Sequence, residues 1–247
     1  MTGSTWVPLG GFRSSSHQLF LFPCAGGGVG SVAPLARELA KDFEVSALRL
    51  PGRESQLAQS PLTQLDGAVN LAAEQLDPLL TDRPTILFGH SFGALLAYLV
   101  FHRLGQPSSV DLLVVAARQA PHLPSDGAAL QGLTDSELLA ALNAAGGIPD
   151  GIRQGNLAGP LLSVLRADMS LDDQHTHDAQ LPPVHPHILG LSGLWDPWVA
   201  PHTVDAWRDR AETGFTHLRV EAGHFFLTSH AAVISRRLAA LRDGYED

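Results

Sequence analysis

The sequence predicts an α/β protein with a mainly parallel central sheet and helices on both faces. Three observations point there. Short apolar runs alternate with longer helical patterns along the chain. Several of the runs are apolar almost throughout, as expected of strands covered on both sides. With one exception, consecutive runs are separated by little more than one helix, which is what a parallel crossover requires. The strand candidates are Gln18–Phe22, Phe43–Leu50, Thr85–Gly89, Val110–Ala116, His187–Ser192 and Phe215–Glu221. The helical candidates between and after them are Ser31–Lys41, Leu65–Leu80, Phe92–Leu104, Val204–Glu212 and Ala231–Asp243.

The exception is the 68-residue connection Ala117–Val184. Within it Thr134-Asp-Ser-Glu137 reads as a capping box ahead of Leu138, Leu139 and Leu142, and Gly146-Gly147 and then Pro149 stop that helix. A second, leucine-rich helical stretch spans Ile152 to Ala167. Residues 1–116 and 185–247 therefore read as the sheet domain, and 117–184 as an inserted helical lid or, more plainly, a surface decoration.

Composition narrows the class. At 247 residues, 45% hydrophobic and 17% charged, the chain is an ordinary soluble globular protein with room for a substantial core. No stretch approaches the roughly 20 uninterrupted apolar residues of a membrane span. Met1–Ser16 lacks the basic start and apolar run of a signal peptide. The single cysteine, Cys24, excludes an internal disulfide, and a cytoplasmic location is the simplest expectation. A net charge of −9 argues against nucleic acid as a partner, because phosphate contacts need clustered Lys and Arg.

The chemistry begins at Gly89-His90-Ser91-Phe92-Gly93, a G-x-S-x-G pattern between the apolar run Thr85–Phe88 and the helical run that follows. A serine on so tight a strand-to-helix turn is forced into a strained conformation, and small residues two places away on either side relieve the crowding. Ser91 is the expected nucleophile. An alcohol needs a base, and in the α/β-hydrolase fold the chain order is serine, acid, histidine. Asp196 follows the run that starts at His187, and His224 follows Phe215–Val220, so all three emerge from carboxyl ends of strands. His224 is expected to act as base, with Asp196 fixing its tautomer. For the oxyanion, the loop Phe22-Pro-Cys-Ala-Gly-Gly-Gly28 offers the backbone N–H of Ala25, and the residue after the nucleophile offers that of Phe92. The loop lacks the G-K-[ST] ending and the G-x-G-x-x-G spacing of a phosphate cradle.

Other reactive residues read as structural. Cys24 has no His or Asn left over to serve it and reads as a small apolar filler. His175-Thr-His177 and His185-Pro-His187 lack the companions and spacing of zinc sites, so no metal is expected. His90 is expected to pack beneath the nucleophile, and Arg166 and Asp168 to form a structural ion pair with each other.

Together with the elbow and Gly193-Leu-Trp-Asp196-Pro, the stretches Phe22-Pro-Cys-Ala-Gly-Gly, Leu50-Pro-Gly-Arg53-Glu54, Arg166-Ala-Asp168 and Gly223-His-Phe-Phe-Leu227 resemble the discrete type II thioesterases of polyketide and nonribosomal peptide assembly lines. The likeness runs from about Gln18 to Arg237. It implies hydrolysis of acyl thioesters on the phosphopantetheine arm of acyl or peptidyl carrier proteins, clearing stalled or aberrant chains without a cofactor. It also implies that the insertion is a mobile lid over an acyl pocket. Relatives in that family usually carry a large residue at the position of Cys24, often Met at Phe92, and tyrosines where His175 and His177 stand. A medium-chain or chain-terminating thioesterase, or a general serine esterase of the same fold, is the alternative. The acidic surface leaves carrier docking to a local basic or apolar patch near the lid mouth, with Arg118, Arg153 and Arg166 as candidates by position.

Overall fold

The computed structural model describes residues 4–11, 17–124, 128–148, 158–176 and 181–242. Seven strands, β1 (Trp6–Gly10), β2 (Gln18–Phe22), β3 (Glu44–Leu48), β4 (Thr85–His90), β5 (Val110–Ala116), β6 (His187–Gly193) and β7 (Phe215–Val220), form one sheet in the order β1-β3-β2-β4-β5-β6-β7. All neighbouring pairs are parallel except β1–β3, which is antiparallel. The six strands from β2 onward match the apolar runs to within two residues at either end. β1 was not anticipated. It carries Pro8 and Gly10, which weaken a strand reading, and it lies at the sheet edge, where a missing N–H costs no central ladder bond.

The sheet is buried on both sides because its strands alternate two apolar sets. Phe20 and Phe22 of β2, Leu87 of β4 and Leu113 and Val115 of β5 pack with α2 (Leu65–Leu76) and α3 (Phe92–Arg103). Leu19 and Leu21, Ile86 and Phe88, and Leu112 and Val114 point the other way, toward α1 (Val29–Leu39) and the C-terminal helix Ala231–Arg242. Each fully buried Leu or Phe contributes roughly 1.5–3 kcal/mol. The helical run read at Val204–Glu212 is instead a short helix, Pro201–Asp205, followed by a 3₁₀ segment, Ala206–Arg210.

Between β5 and β6 the chain forms α4 (Ala128–Gln131), α5 (Asp135–Ala144) and α6 (Ala158–Asp172). The capping box is present: Thr134 Oγ1 accepts from the Glu137 N–H, and the Glu137 carboxylate accepts from the Thr134 N–H at 2.8 Å. At the other end of α5, Gly146 at φ +78° lets the Gly147 N–H return to Leu142 O and the Gly146 N–H to Asn143 O, a Schellman stop. Pro149 and residues 152–157 of the second helical stretch lie outside the described residues. The described part of that helix runs on past Ala167 to Asp172. Leu138, Leu142, Ile148, Leu162 and Leu165 form an apolar cluster of the segment's own. After β6 come α7 (Pro201–Asp205) and, past β7, α8 (Phe226–Ser229) and α9 (Ala231–Arg242).

Candidate active site

Ser91 sits between the end of β4 and the start of α3 with φ +54° and ψ −120°, a region non-glycine residues rarely occupy and one that costs about 1–3 kcal/mol. Two backbone bonds hold it there. Its N–H donates to Ala116 O at 2.8 Å, and its carbonyl accepts from the Ala94 N–H at 2.9 Å. The flanking glycines are steric requirements. A Cβ at Gly89 would lie 2.3 Å from Ala94 Cα, and one at Gly93 would lie 2.0 Å from Phe22 O. The hydroxyl is thereby presented at the amino end of a 12-residue helix, whose dipole favours negative charge.

Asp196 and His224 reach the same place from β6 and β7. The two loops cross so closely that a Cβ at Gly193 would lie 2.4 Å from Ala222 O. Asp196 Oδ1 accepts from the N–H groups of Trp198 and Val199 at 2.9 and 3.0 Å, and Oδ2 accepts from His224 Nδ1 at 2.7 Å. The Asp196 side chain is 0% exposed and that of His224 5%. Because the carboxylate only accepts, a neutral His224 ring keeps its hydrogen on Nδ1 and its lone pair on Nε2. Trp198, Phe225 and His90 box the ring in at centroid distances of 4.8, 5.1 and 5.3 Å.

His90 packs behind His224 and its Nε2–H donates to the His224 carbonyl at 3.0 Å. Burial, and next the neighbouring His224, push its pKa down to about 3 from the usual 6.5. An unfolded His90 takes up its proton near 6.5, so between pH 6.5 and 3 the unfolded chain binds more protons and stability rises with pH. His90 therefore lowers stability by roughly 2 kcal/mol on going from pH 7.5 to 5. A His90→Gln variant, which keeps an N–H donor, is expected to lose correspondingly less, as read from urea midpoints at the two pH values.

Ser91, His224, Ala25 and Phe92 all line one cavity of about 310 Å³. Its roof comes from the β5–β6 connection: Leu130 of α4, Leu138 and Leu142 of α5, and Leu165 and Met169 of α6. Leu162 belongs to the apolar cluster behind this roof. The cavity also has a polar side, where Arg118 pairs with Asp172 at 2.6 Å beside Asp173. Burial, and then the Asp172 charge, raise the Asp173 carboxyl above its ordinary value. Among the described residues no loop or cap carbonyl takes the N–H of Ala25 or Phe92. Cys24 lines the cavity too, but burial and then the charge of Asp168 push its thiol up to about 12, so it holds its proton at neutral pH.

One expected pairing is wrong. Arg166 does not meet Asp168; it binds Asp135 at 2.8 Å and Leu133 O at 2.6 Å. Residues two apart on a helix point to different sides. Asp168 faces the core and takes both arms of Arg53, each at 2.8 Å, with side-chain exposures of 2% and 8%. His175 Nε2 lies 3.1 Å from Pro121 O, His185 bonds to Gln106 O, and His187 to Thr216 Oγ1; His177 lies outside the described residues. A second Ser-His-Asp array, unforeseen in the sequence, links Ser192 Oγ to His217 Nε2 at 2.8 Å and His217 Nδ1 to Asp205 at 2.6 Å. Ser192 is fully buried, and these bonds tie β6 and β7 to α7.

Comparison with known proteins identifies the family and the fold. The model of the thioesterase domain family matches residues 17–241. The chain is 32% identical over 213 residues to the gramicidin S biosynthesis protein GrsT of Aneurinibacillus migulanus, covering 85% of this chain and 82% of that one. Among solved structures it is similar to RedJ, a thioesterase from the prodiginine biosynthetic pathway in Streptomyces coelicolor, at a TM-score of 0.80, 32% identity and coverage of 92% and 90%. It is also similar to BorB, a type II thioesterase from the borrelidin biosynthetic cluster, at a TM-score of 0.84, 29% identity and coverage of 97% and 98%. The resemblance carried by the sequence motifs therefore holds, the fold is that of the α/β-hydrolases, and the chain belongs to the thioesterase domain family.

Proposed function

We propose that this thioesterase hydrolyses acyl groups from the phosphopantetheine arm of acyl or peptidyl carrier proteins, clearing stalled or aberrant chains through an acyl-Ser91 intermediate. The observation that carries the reading is the meeting of Ser91 and the Asp196-held His224 in one cavity roofed by leucines. In the scheme, His224 Nε2 takes the Ser91 proton as Oγ attacks the thioester carbon. The N–H groups of Ala25 and Phe92 receive the oxyanion. The C–S bond breaks, and the pantetheine sulfur leaves as a thiol with the proton held by His224. Water then attacks the acyl-serine ester, giving its proton to His224, which returns it to Ser91 Oγ as the acid departs. Every proton is carried by Ser91, His224, water or the thiol, so the scheme calls for no metal or organic cofactor.

The cavity volume, at the small end of the usual range for ligand sites, suits short to medium acyl groups. On this reading residues 117–184 are a lid on the core formed by 1–116 and 185–247, and the enzyme works in the cytoplasm beside its assembly line. No described helix is long and apolar enough to cross a membrane. Arg118 and Arg166 are engaged in ion pairs, and Arg153 lies outside the described residues. The exposed Leu194 and Trp195, just before Asp196, offer an apolar docking patch for the carrier.

The test is a length series of acyl groups on one carrier protein, on coenzyme A and as simple esters. Carrier-bound thioesters are expected to be cleaved fastest at every length. Leu138→Val and Leu142→Ala should shift the preferred length upward, because each methylene in an apolar pocket is worth about 1–3 kcal/mol. A Leu162 variant should shift it less. Equal rates on carrier and coenzyme A, or faster cleavage of simple esters, would favour a general esterase. A strong optimum confined to medium chains would favour a chain-terminating role.

A further inference from the structure

We propose that Arg53 and Asp168 are positioning residues for the oxyanion, holding the Ala25 amide toward Ser91, and that α6 of the insertion is thereby a fixed part of the active site. This rests on the catalytic reading above, in which Ala25 is a donor. The tie is a chain of bonds. Asp168 Oδ2 accepts from the Gly26 N–H at 2.8 Å, and Arg53 Nη1 donates to Gly27 O at 2.6 Å while both guanidinium arms grip Asp168. The Gly27 N–H then closes a turn onto Cys24 O at 2.9 Å, with Gly26 at φ +71° in its third position. Cys24 C=O and Ala25 N–H share one rigid peptide plane. Pinning that oxygen fixes the direction of that hydrogen.

Both ends of the loop are fixed by the same motif. Glu54, next to Arg53, accepts from the Gly30 N–H at 2.8 Å in the first turn of α1. On the other side the loop lies directly against α6, where a Cβ at Gly26 would be 3.1 Å from Leu165 Cβ. The helix itself is anchored again one turn on, where Asp172 meets Arg118, and beyond it Gln174 bonds to Leu65 N and Thr63 O. Arg53 and Glu54 on one side and Asp168 on the other, from two sequence stretches that the triad leaves unexplained, are thus two halves of one clamp on the oxyanion loop.

The experiment compares wild type, Asp168→Asn, Asp168→Glu and Arg166→Ala on a carrier-bound thioester, with melting temperatures measured in parallel. An acyl trifluoromethyl ketone serves as a transition-state probe and a non-hydrolysable thioether as a ground-state probe. Loss of a direct oxyanion donor costs about 10²–10³ in kcat, so displacing one through its support should cost about 10–100-fold. For Asp168→Asn that fall is expected in kcat, with KM within twofold. Ketone affinity should fall in step, with thioether affinity unchanged. Asp168→Glu keeps the charge but displaces the acceptor of the Gly26 N–H, and should show the same split at a near-native melting temperature, which covers the case where Asp168→Asn does not fold. Arg166→Ala, on the same helix but outside the clamp, should keep kcat within twofold. Full kcat in a folded Asp168→Asn or Asp168→Glu, or equal losses on both probes, would overturn the inference while leaving the triad reading intact. Failure of the wild type to bind the ketone would overturn both.

Discussion

Ser91→Ala and His224→Ala should each lower turnover of a carrier-bound thioester by about 10⁴–10⁶, and the double variant should lose no more than either alone, because the residues act as a unit. Asp196→Asn should cost on the order of 10⁴ for a more specific reason. The remaining amide oxygen can still accept from Trp198 and Val199, but the new NH₂ group faces His224 Nδ1. The ring is then driven to the tautomer with its hydrogen on Nε2, and the lone pair that deprotonates Ser91 is lost. Normal activity in a folded Asp196→Asn chain would reassign the acid. Asp168 and Asp172 are poor successors, since each is already paired with an arginine. Single-turnover rates with one acyl-carrier substrate are the measurement.

The second large effect is structural and falls on a residue with no side chain. Gly93→Ala places a methyl group 2.0 Å from Phe22 O and 2.4 Å from Pro23 O, and both obstacles are backbone. Relief requires α3 to move off β2 where the two pack, through Phe22 and Phe92, in the largest apolar cluster. A destabilisation above about 4 kcal/mol, or no folded protein, is expected. Gly67→Ala is the contrast: it lies inside α2, its nearest new neighbour would be Gln64 Cβ at 3.8 Å, and it should gain about 0.5–1 kcal/mol. Urea unfolding of the two variants checks both signs. Equal stability of Gly93→Ala and wild type would mean that the elbow is looser than this packing implies.

How much was legible in the sequence depends on whether the determining interaction is local. The parallel strands were readable because each is a short apolar run, and the elbow because its glycines flank one serine. The α5 cap was readable because Thr134 and Glu137 are three residues apart. β1 was missed because Pro8 and Gly10 interrupt its pattern and its partner strand lies about 40 residues away. The Arg53–Asp168 clamp joins residues 115 apart, and nothing local to either names its partner. Sequence proximity favoured Arg166 as the partner of Asp168, but two steps along a helix turn a side chain by about 200°. The boxing of His224 by Trp198 and Phe225 was likewise invisible, since it arises only where the β6 and β7 loops cross.

The central claim is that a thioester is cleaved through an acyl group held on Ser91. It is tested most directly by quenching the reaction with an acyl-carrier substrate within the first turnover and locating the added mass by peptide mass spectrometry. The account predicts a transient acyl mass on the peptide containing Ser91, absent in Ser91→Ala and, because His224 is also the base for acylation, absent at the same quench time in His224→Ala. An acyl mass on Cys24, or undiminished turnover in Ser91→Ala, would contradict it.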